Sequence, residues 1–335
     1  MTFLGTRLSV VILFLLGFPV LWLLWIGSYA LNPGPSSSRI EVIIPARSSL
    51  AEIEKILAEH KVIRDDARFS MLALLTGSGK KLKAGEYVFE PGKRPLDVIE
   101  RLRKGDVLYR SVTIPEGLEM EKIAEILAAE GWTDFQHFLD LAHDPEILAR
   151  LGVNADSLEG YLFPDTYYLS KGQQSAAEII RMMVDKHFQV FNELGKNSTI
   201  LPMSLTHHEI VTLASIVEKE TGLTEERGLV ASVFLNRLAK GMRLQADPTV
   251  RYGLKKNTGP LSRADLKQST IYNTYIIFGL PPGPISNPGG AAIKAVLFPV
   301  ESDYLYFVAK DDKSHHFSRT LQEHNKAVSK YKNSK

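Results

Sequence analysis

The stretch HHEIVTLASIVEKET, residues His207–Thr221, predicts an amphipathic helix. Apolar residues recur in it at intervals of three and four, the spacing that places side chains on one helix face. The members of that face are Ile210, Leu213, Ala214 and Val217. Glu218 follows Val211 and Ser215 at the same spacing and lies at the border of the face. Partial removal from water raises the pKa of a carboxyl, which suits Glu218 to donate a proton near neutral pH.

A structural role is the alternative for the same carboxyl. A glutamate at the edge of an apolar face can simply pair with a lysine or an arginine, and spacing alone does not separate the two roles. Lys219 and Glu220, on the same helix, are expected to point elsewhere and to be solvated. The interpretation of Glu218 therefore depends on the rest of the chain.

Around this helix, helical patterns alternate with short strands. Helices are predicted over residues 134–222, interrupted at Leu158–Leu169 (LEGYLFPDTYYL). A long stretch rich in proline and glycine leads to a strand at Tyr304–Ala309 and to a final helix that begins near Ser318. We expect an α+β domain with long ordered loops over residues 111–335. Loops of that length in a compact domain are usually functional.

Residues 40–110 predict a smaller α/β module. A strand at Arg39–Ile44 precedes helical patterns and a second strand at Gly85–Phe89. The pattern then restarts, because at an offset of 70 residues Ile44-Pro45 matches Ile114-Pro115 and the helices that follow share apolar positions. A reused strand–proline–helix unit explains this match, and coincidence between two amphipathic helices is the alternative.

Residues 8–31 (LSVVILFLLGFPVLWLLWIGSYAL) predict a transmembrane helix. The stretch is uncharged, and its 24 residues would span about 36 Å, enough for a hydrocarbon core of about 30 Å. Trp22, Trp25 and Tyr29 gather at its far end, as interfacial aromatic residues do. A cleaved signal peptide is the alternative, although the apolar part of a signal peptide has only about 7–15 residues.

The segments that flank this helix predict the topology. Arg7 favours a cytoplasmic stub at residues 1–7. Residues 32–39 contain proline, glycine and serine, a composition typical of an extended and solvated linker. We find no second stretch long and apolar enough to span a membrane, so everything after the linker is expected on one side.

Composition excludes several classes of function. The 335 residues exceed one ordinary domain of about 100–200 residues. The net charge is +2 and the basic residues form no stripe, so a nucleic-acid binder is not expected. The absence of cysteine excludes disulfide frameworks, thiolate metal sites and a cysteine nucleophile.

The histidines raise the question of a metal site. They include His207-His208, His315-His316 and His324. No His-Glu-x-x-His motif is present, and adjacent histidines on a helix point about 100° apart, so they rarely share an ion. No serine lies in a Gly-x-Ser-x-Gly setting. We expect neither a metal nor a cofactor nor a serine nucleophile.

Six motifs stand along the chain. They are Glu159-Gly-Tyr-Leu-Phe-Pro-Asp-Thr-Tyr167, Ser215-Ile-Val-Glu-Lys-Glu220, Gln245-Ala-Asp-Pro-Thr-Val250, Tyr272-Asn-Thr-Tyr275, Gly279-Leu-Pro-Pro-Gly-Pro-Ile285 with Asn287-Pro-Gly289, and His316-Phe-Ser318 with Glu323-His-Asn325. Together they resemble the endolytic murein transglycosylases, the YceG-like family, over nearly all of residues 39–335. One departure is that Ser269-Thr-Ile271 precedes the Tyr-Asn-Thr-Tyr motif, where the family often has Ser-Pro.

The resemblance implies a lytic transglycosylase of the inner membrane with its catalytic part in the periplasm. It implies a LysM-like module at residues 40–110, a catalytic domain at residues 111–335 and Glu218 as the catalytic residue. It further implies that the enzyme cuts nascent peptidoglycan strands, terminates their elongation and works with membrane-bound synthases, the penicillin-binding proteins.

A single carboxyl can perform this chemistry. Glu218 would protonate the glycosidic oxygen between N-acetylmuramic acid and N-acetylglucosamine. It would then accept the proton of the muramyl 6-hydroxyl, which attacks C1 and closes a 1,6-anhydro ring. Glycosidases usually need two carboxyls, but here no water has to be activated.

Polar side chains on the loops are candidates for binding sugar hydroxyls and acetamides. They are Gln245, Asp247, Tyr272, Asn273, Thr274 and Asn287, with Tyr161 and Asp165 as candidates for lining a subsite. Turn or capping roles are the alternative for the first six, and a packed aromatic corner is the alternative for the last two.

Two other functions stay open. The protein could be a non-catalytic, membrane-anchored peptidoglycan-binding protein, tethered to the wall through the module at residues 39–110. It could also be a metal-dependent amidase or peptidase that acts on the stem peptides. Analysis of the products of a peptidoglycan digest would distinguish these two functions from a lytic transglycosylase.

Overall fold

Helices alternate with short strands along the chain. The computed structural model describes residues 2–196, 202–256, 258–312 and 314–332, and it does not describe the side chains of residues 2–16, 202 and 332. The strands are β1 (Ile40–Ile44), β2 (Gly85–Phe89), β3 (Arg110–Thr113), β4 (Thr166–Leu169), β5 (Tyr306–Ala309) and β6 (His315–Ser318). The helices are α1 (Thr2–Leu31), α2 (Leu50–Glu59), α3 (Arg68–Leu75), α4 (Pro95–Lys104), α5 (Met120–Ala129), α6 (Phe135–Ala142), α7 (Pro145–Arg150), α8 (Ala176–Gly195), α9 (His207–Glu220), α10 (Arg227–Ala239), α11 (Asp247–Gly253), α12 (Gly290–Leu297) and α13 (Leu321–Lys332).

These elements divide into two compact units. The first contains Met1–Ser111 and Tyr168–Ser175, and the second contains Val112–Tyr167 and Ala176–Lys335. Strands pair two by two, β1 with β2, β3 with β4, and β5 with β6. The predicted mixture of helix and sheet is therefore confirmed. The return of residues 168–175 to the first unit was not indicated by the sequence pattern.

The first unit is built on the antiparallel pair β1–β2, in which Ile40 lies opposite Phe89 and Ile44 opposite Gly85. Both strands were predicted, and α2 and α3 lie between them in sequence. Val42, Ile44, Tyr87 and Phe89 are buried with side chains of the surrounding helices, as expected for strands that cover a core. The resemblance of this module to LysM stays a prediction.

The carboxyl-terminal end of α1 belongs to the core of the first unit. Ile26, Tyr29 and Ala30 are buried in it. The guanidinium of Arg68 lies 5.0 Å from the centre of the Trp25 ring and 4.5 Å from that of Tyr29, distances at which a cation is attracted to an aromatic face. This end of α1 is thus fixed by packing.

The predicted transmembrane segment, residues 8–31, falls within α1. Side chains of its first part, residues 8–16, lie outside the described residues. Over the residues that are described, no helix combines the length and the apolar character needed to cross a bilayer. The segment stays a prediction.

The predicted linker, residues 32–39, is largely exposed, as expected. Two backbone hydrogen bonds nevertheless hold it to the first unit. The N–H of Gly34 donates to the carbonyl oxygen of Lys93 at 2.9 Å, and the N–H of Gly92 donates to that of Ser36 at 3.1 Å. The segment is therefore solvated but does not behave as a free tether.

Helix α9 forms the centre of the second unit. Every residue from Ile210 to Val217 is buried, and α10, α11 and α12 pack against it. The expectation of a single apolar face is therefore wrong, because the middle of the helix meets protein on all sides. Thr206 caps its first turn and shares a capping box with Glu209, which fixes where the helix begins.

Two elements of the second unit lie where the sequence predicted loops. Asp247 and Pro248 open α11, within the stretch rich in proline and glycine for which the sequence predicted no helix. Strand β6 pairs with β5, with Tyr306 opposite Ser318. The last helix begins at Leu321, three residues after its predicted start near Ser318.

We expect Tyr29→Ala to lower the free energy of unfolding of the first unit by about 3–5 kcal/mol, because a buried aromatic side chain is lost from a core. Phe18→Ala on the same helix is the matched control, since Phe18 is exposed. Urea unfolding of the detergent-solubilised protein measures both. Equal effects of the two substitutions would contradict the packing of α1 into this core.

Candidate active site

Glu218, the predicted acid, lies at the end of α9 with its carboxyl fully engaged. Its side chain is only 5% exposed. Arg227 Nη2 donates to Oε1 at 2.7 Å, and the N–H of Gly289 donates to Oε2 at 3.0 Å. Burial holds the pKa of Glu218 above its usual value, against the opposing effects of the Gly289 hydrogen bond and of Arg227. The structure thus shows the ion pair that the sequence left as the alternative.

Glu220 lies two residues further along and lines a cavity of about 310 Å³. The expectation that this side chain is solvated is wrong, because its carboxyl is surrounded by protein atoms. Burial, aided by the negative charge of Asp247, raises the pKa of Glu220 to about 8, against the opposing effect of Arg237. A carboxyl with that pKa is mostly protonated at neutral pH and can act as a general acid.

Five elements and their connections supply the wall of this cavity. Its lining consists of Glu220, Arg237, Leu244, Gln245, Asp247, Tyr275, Tyr306, Phe307, Leu321 and His324. The sequence singled out Gln245 and Asp247 as binding residues and placed Tyr275 and His324 in family motifs. Arg237 and the apolar members carry no signal beyond ordinary helix and strand patterns, so only the fold brings them together.

Arg237 is a fixed positive charge beside Glu220. It is buried on α10. Its Nε donates to the carbonyl oxygen of Leu305 at 2.7 Å, and its Nη1 donates to that of Leu244 at 2.6 Å. Because two of its donors are occupied by the backbone, the guanidinium keeps its position. It can stabilise a carboxylate at Glu220 once the proton has left.

Asp247 places a second carboxyl on the cavity wall at the first turn of α11. The hydroxyl of Tyr275 donates to its Oδ1 at 2.6 Å. This bond joins the Gln-Ala-Asp-Pro-Thr motif to the Tyr-Asn-Thr-Tyr motif. Asp247 thus contributes a negative charge that raises the pKa of Glu220.

Gln245 adopts an unusual backbone conformation on the same wall. Its φ is 51°, in the left-handed region, which costs a residue with a side chain about 1–2 kcal/mol. The N–H of Gln245 donates to the carbonyl oxygen of Thr274 at 3.1 Å, and the N–H of Ala246 donates to Thr274 Oγ1 at 2.9 Å. Strain held in this way is common at functional sites, and here it aims an amide at the cavity.

The other predicted binding residues do not line this cavity. Asn273, Thr274 and Asn287 are fully buried. Asn273 donates to the carbonyl oxygens of Leu266 and Gln268, and Asn287 donates to that of Leu118. The turn and capping roles that the sequence left as an alternative describe these three side chains.

Tyr161 and Asp165 also lie away from the Glu220 cavity. The hydroxyl of Tyr161 donates to Nδ1 of His208 at 2.9 Å, and Nε2 of His208 donates to the carbonyl oxygen of Pro282 at 2.9 Å. Asp165 pairs with Lys186 at 3.0 Å. Tyr161 therefore forms part of a packed aromatic corner, which was its alternative.

Glu159 shows that a raised pKa alone does not identify an acid. Burial raises the pKa of this carboxyl to about 8 as well. It accepts hydrogen bonds from the N–H of Met120 at 3.1 Å and from the amide of Asn287 at 2.9 Å. Together with Tyr252 and Tyr272 it lines a second cavity of about 290 Å³. Its oxygens are occupied by structural donors, unlike the carboxyl of Glu220.

The histidines serve packing and hydrogen bonding. Nε2 of His187 and Nε2 of His207 lie 3.0 Å apart, and burial lowers the pKa of His187 to about 3. Nδ1 of His315 lies 2.6 Å from Glu226 Oε2. Among the described residues, no group of three or more potential ligands is arranged to hold a metal ion.

Comparison with known proteins identifies the family. The model of the YceG-like family matches residues 42–330. The chain is 34% identical over 315 residues to the endolytic murein transglycosylase of Bacillus subtilis (strain 168), covering 90% of this chain and 87% of that one. It is 31% identical over 334 residues to the endolytic murein transglycosylase of Streptococcus pneumoniae (strain R6), covering 90% of this chain and 60% of that one.

A solved structure supports the same assignment. The crystal structure of a YceG-like protein from Listeria monocytogenes is 36% identical and matches with a TM-score of 0.59, over 87% of this chain and 100% of that one. The chain belongs to the YceG-like family, as its motifs predicted.

We expect Asp247→Asn to lower the pKa of Glu220 below about 8, because a negative neighbour that raises it is removed. The titration of Glu220 can be followed by NMR of the 13C-labelled carboxyl. Asp265→Asn is the matched control, since Asp265 pairs with Lys256 and does not line the cavity. An unchanged titration in Asp247→Asn would show that Asp247 does not act on Glu220.

Proposed function

We propose that this protein is an endolytic murein transglycosylase, a lyase that cuts the glycan strands of peptidoglycan. The relatives that bear this name cover most of the chain. The observation that carries the proposal is the cavity in which Glu220 is held protonated between Arg237 and Asp247. A lytic cleavage needs a carboxyl that first gives a proton and then takes one back.

The reaction proposed for this cavity uses Glu220 twice. Protonated Glu220 gives its proton to the glycosidic oxygen between N-acetylmuramic acid and N-acetylglucosamine, and the bonding electron pair leaves with that oxygen. The muramyl 6-hydroxyl attacks C1, and its proton returns to the Glu220 carboxylate. The product ends in a 1,6-anhydro ring and no water is consumed. Cleavage of nascent strands in this way would terminate their elongation.

The neighbours of Glu220 fit the two halves of this cycle. The Arg237 guanidinium stabilises the carboxylate that exists between the two proton transfers. The ionised carboxyl of Asp247 opposes positive charge that develops at C1, since glycosidic cleavage passes through an oxocarbenium-like state. Gln245 offers an amide to the sugar hydroxyls or acetamides. We assign substrate binding to Gln245 and Asp247.

Glu218 is then a structural residue in the same motif. Its ion pair with Arg227 and its bond to the Gly289 N–H connect the end of α9 to the start of α12. Both oxygens accept hydrogen bonds from fixed donors and the side chain is almost fully buried, so the Glu218 carboxyl has little room to meet a glycosidic oxygen, although burial raises its pKa. Its earlier assignment as the catalytic residue stays the competing prediction.

We expect Glu220→Gln to reduce strand cleavage by about a hundredfold or more, because an amide cannot transfer the proton. Glu218→Gln is the matched variant two residues away. It should lower the thermal unfolding midpoint, since the Arg227 charge loses its buried partner, and leave the kcat of the folded enzyme largely unchanged. Mass spectrometry of products from purified sacculi measures cleavage by both variants, and a thermal unfolding scan measures the midpoint.

The opposite effects of the two substitutions would identify Glu218 as the catalytic residue. If Glu218→Gln abolishes the anhydro-muramyl products while Glu220→Gln retains them, the assignment to Glu220 is refuted. A wild-type protein that binds sacculi without releasing products would support the non-catalytic glycan-binding alternative. Freed peptides that disappear with a chelator would indicate a metal-dependent amidase.

We further propose that α1 anchors the protein in the inner membrane, with residues 40–335 in the periplasm and the module at residues 40–110 acting as a LysM-like glycan-binding part. The uncharged stretch at residues 8–31 supports this location. An anchor keeps the cavity near the sites where new strands emerge. Membrane-bound peptidoglycan synthases are therefore the proposed protein partners.

Cell fractionation should recover the protein with inner membranes, and protease added from the periplasmic side should digest residues 40–335. Protection of these residues would reverse the topology. A pull-down from the same detergent extract should recover a synthase, and recovery of none would count against the partnership.

A further inference from the structure

Arg243 and Phe278 form an exposed pair on the second unit. The guanidinium carbon of Arg243 lies 4.6 Å from the centre of the Phe278 ring. Phe278 is 67% exposed, and Arg243 is exposed as well. Single exposed apolar side chains are common on protein surfaces, and this ring differs in carrying a guanidinium over its face. Stacking on it holds Arg243 in place without consuming its charge.

The pair lies beside the Glu220 cavity. Arg243 directly precedes Leu244 and Gln245, which line the cavity, and Phe278 lies three residues after Tyr275, which also lines it. The two segments are joined by the hydrogen bonds from Gln245 and Ala246 to Thr274 and from Tyr275 to Asp247, and by the stacked pair itself. Consecutive Cα atoms are about 3.8 Å apart, so the backbone of Arg243 is next to that of two residues of the cavity wall.

Arg243 stacks on the Phe278 ring and not against a carboxylate. In the part of the chain that the structure describes, no acidic side chain forms an ion pair with Arg243. A guanidinium stacked by one face still presents its N–H groups at its edge, in the fork that binds a carboxylate through two hydrogen bonds. The adjacent Phe278 ring adds an apolar surface for a short chain of atoms.

We propose that Arg243 and Phe278 bind the carboxylate-bearing peptide attached to the muramyl sugar, and so set a preference for peptide-substituted strands. This inference rests on the proposed function, which brings a glycan strand to the Glu220 cavity. N-acetylated sugars whose lactyl group is joined to peptide as an amide are uncharged. The carboxylates of the peptide are therefore the groups that an unpaired guanidinium would recognise.

The test is a binding measurement in the Glu220→Gln background, so that strands are not consumed. Calorimetry gives the Kd for two matched ligands. One is glycan strands that carry their peptides, and the other is amidase-treated strands whose freed lactyl carboxyls have been converted to amides, so that they carry no carboxylate. Arg243→Ala should weaken binding of peptide-bearing strands about tenfold, since a charge-assisted contact is lost. Binding of peptide-free strands should not change.

Further variants separate charge from packing. Arg243→Lys keeps the charge but loses the fork and the stacking, so its Kd should fall between those of Arg243 and Arg243→Ala. Phe278→Ala should also weaken binding of peptide-bearing strands only. Arg263→Ala removes an equal charge from an exposed position outside the cavity lining, and it should leave both Kd values unchanged.

Two results would overturn the inference. Either Arg243→Ala changes the Kd of both ligands by the same factor, or it changes neither. The proposed function is judged separately, by whether the enzyme with Glu220 intact releases anhydro-muramyl products from either kind of strand. If the enzyme cleaves strands but Arg243→Ala does not change binding, the proposed transglycosylase activity stands and the proposed peptide-binding site is refuted.

Discussion

Burial of α9 on every side is the constraint on which the proposed site depends. Protein surrounds Ile210–Val217 completely, so the end of the helix cannot rotate or shift without disturbing the core. Residues two apart on a helix point about 200° away from each other. Glu218 and Glu220 are therefore held facing opposite surroundings, one towards Arg227 and Gly289 and the other towards the cavity.

The different surroundings of Glu218 and Glu220 suit the two carboxyls to different roles. Glu218 has a buried cation at 2.7 Å and a backbone donor, which makes it part of the framework. Glu220 shares its cavity with the negative charge of Asp247, and burial holds its proton on. Glu159 has an equally raised pKa but is occupied by the N–H of Met120 and the amide of Asn287. Burial raises the pKa of all three carboxyls, so the pKa alone does not separate them. Glu220 differs in that it lines a cavity and, within the described residues, accepts no hydrogen bond from a fixed donor.

The sequence predicted the family, the helix at residues 207–221 and the first strands, because these depend on local pattern and on motif order. It predicted a solvated Glu220 because a helix with one apolar face leaves the opposite side in water, whereas α9 is enclosed. Proline at Pro248 indicated a turn, although proline is equally at home in the first turn of a helix. The burial of Asn273 and Asn287 depends on carbonyl groups brought close by the fold, and residue type alone cannot reveal it.

The pH dependence of cleavage tests the role of Glu220 most directly. In kcat/KM, the pKa of an essential acid in the free enzyme appears as the pH above which the rate falls. With Glu220 as the proton donor, kcat/KM on peptidoglycan strands should be steady below neutral pH and fall as the pH rises through about 8. A rate that stays constant or increases between pH 7 and pH 9 would contradict a protonated Glu220 as the catalytic acid.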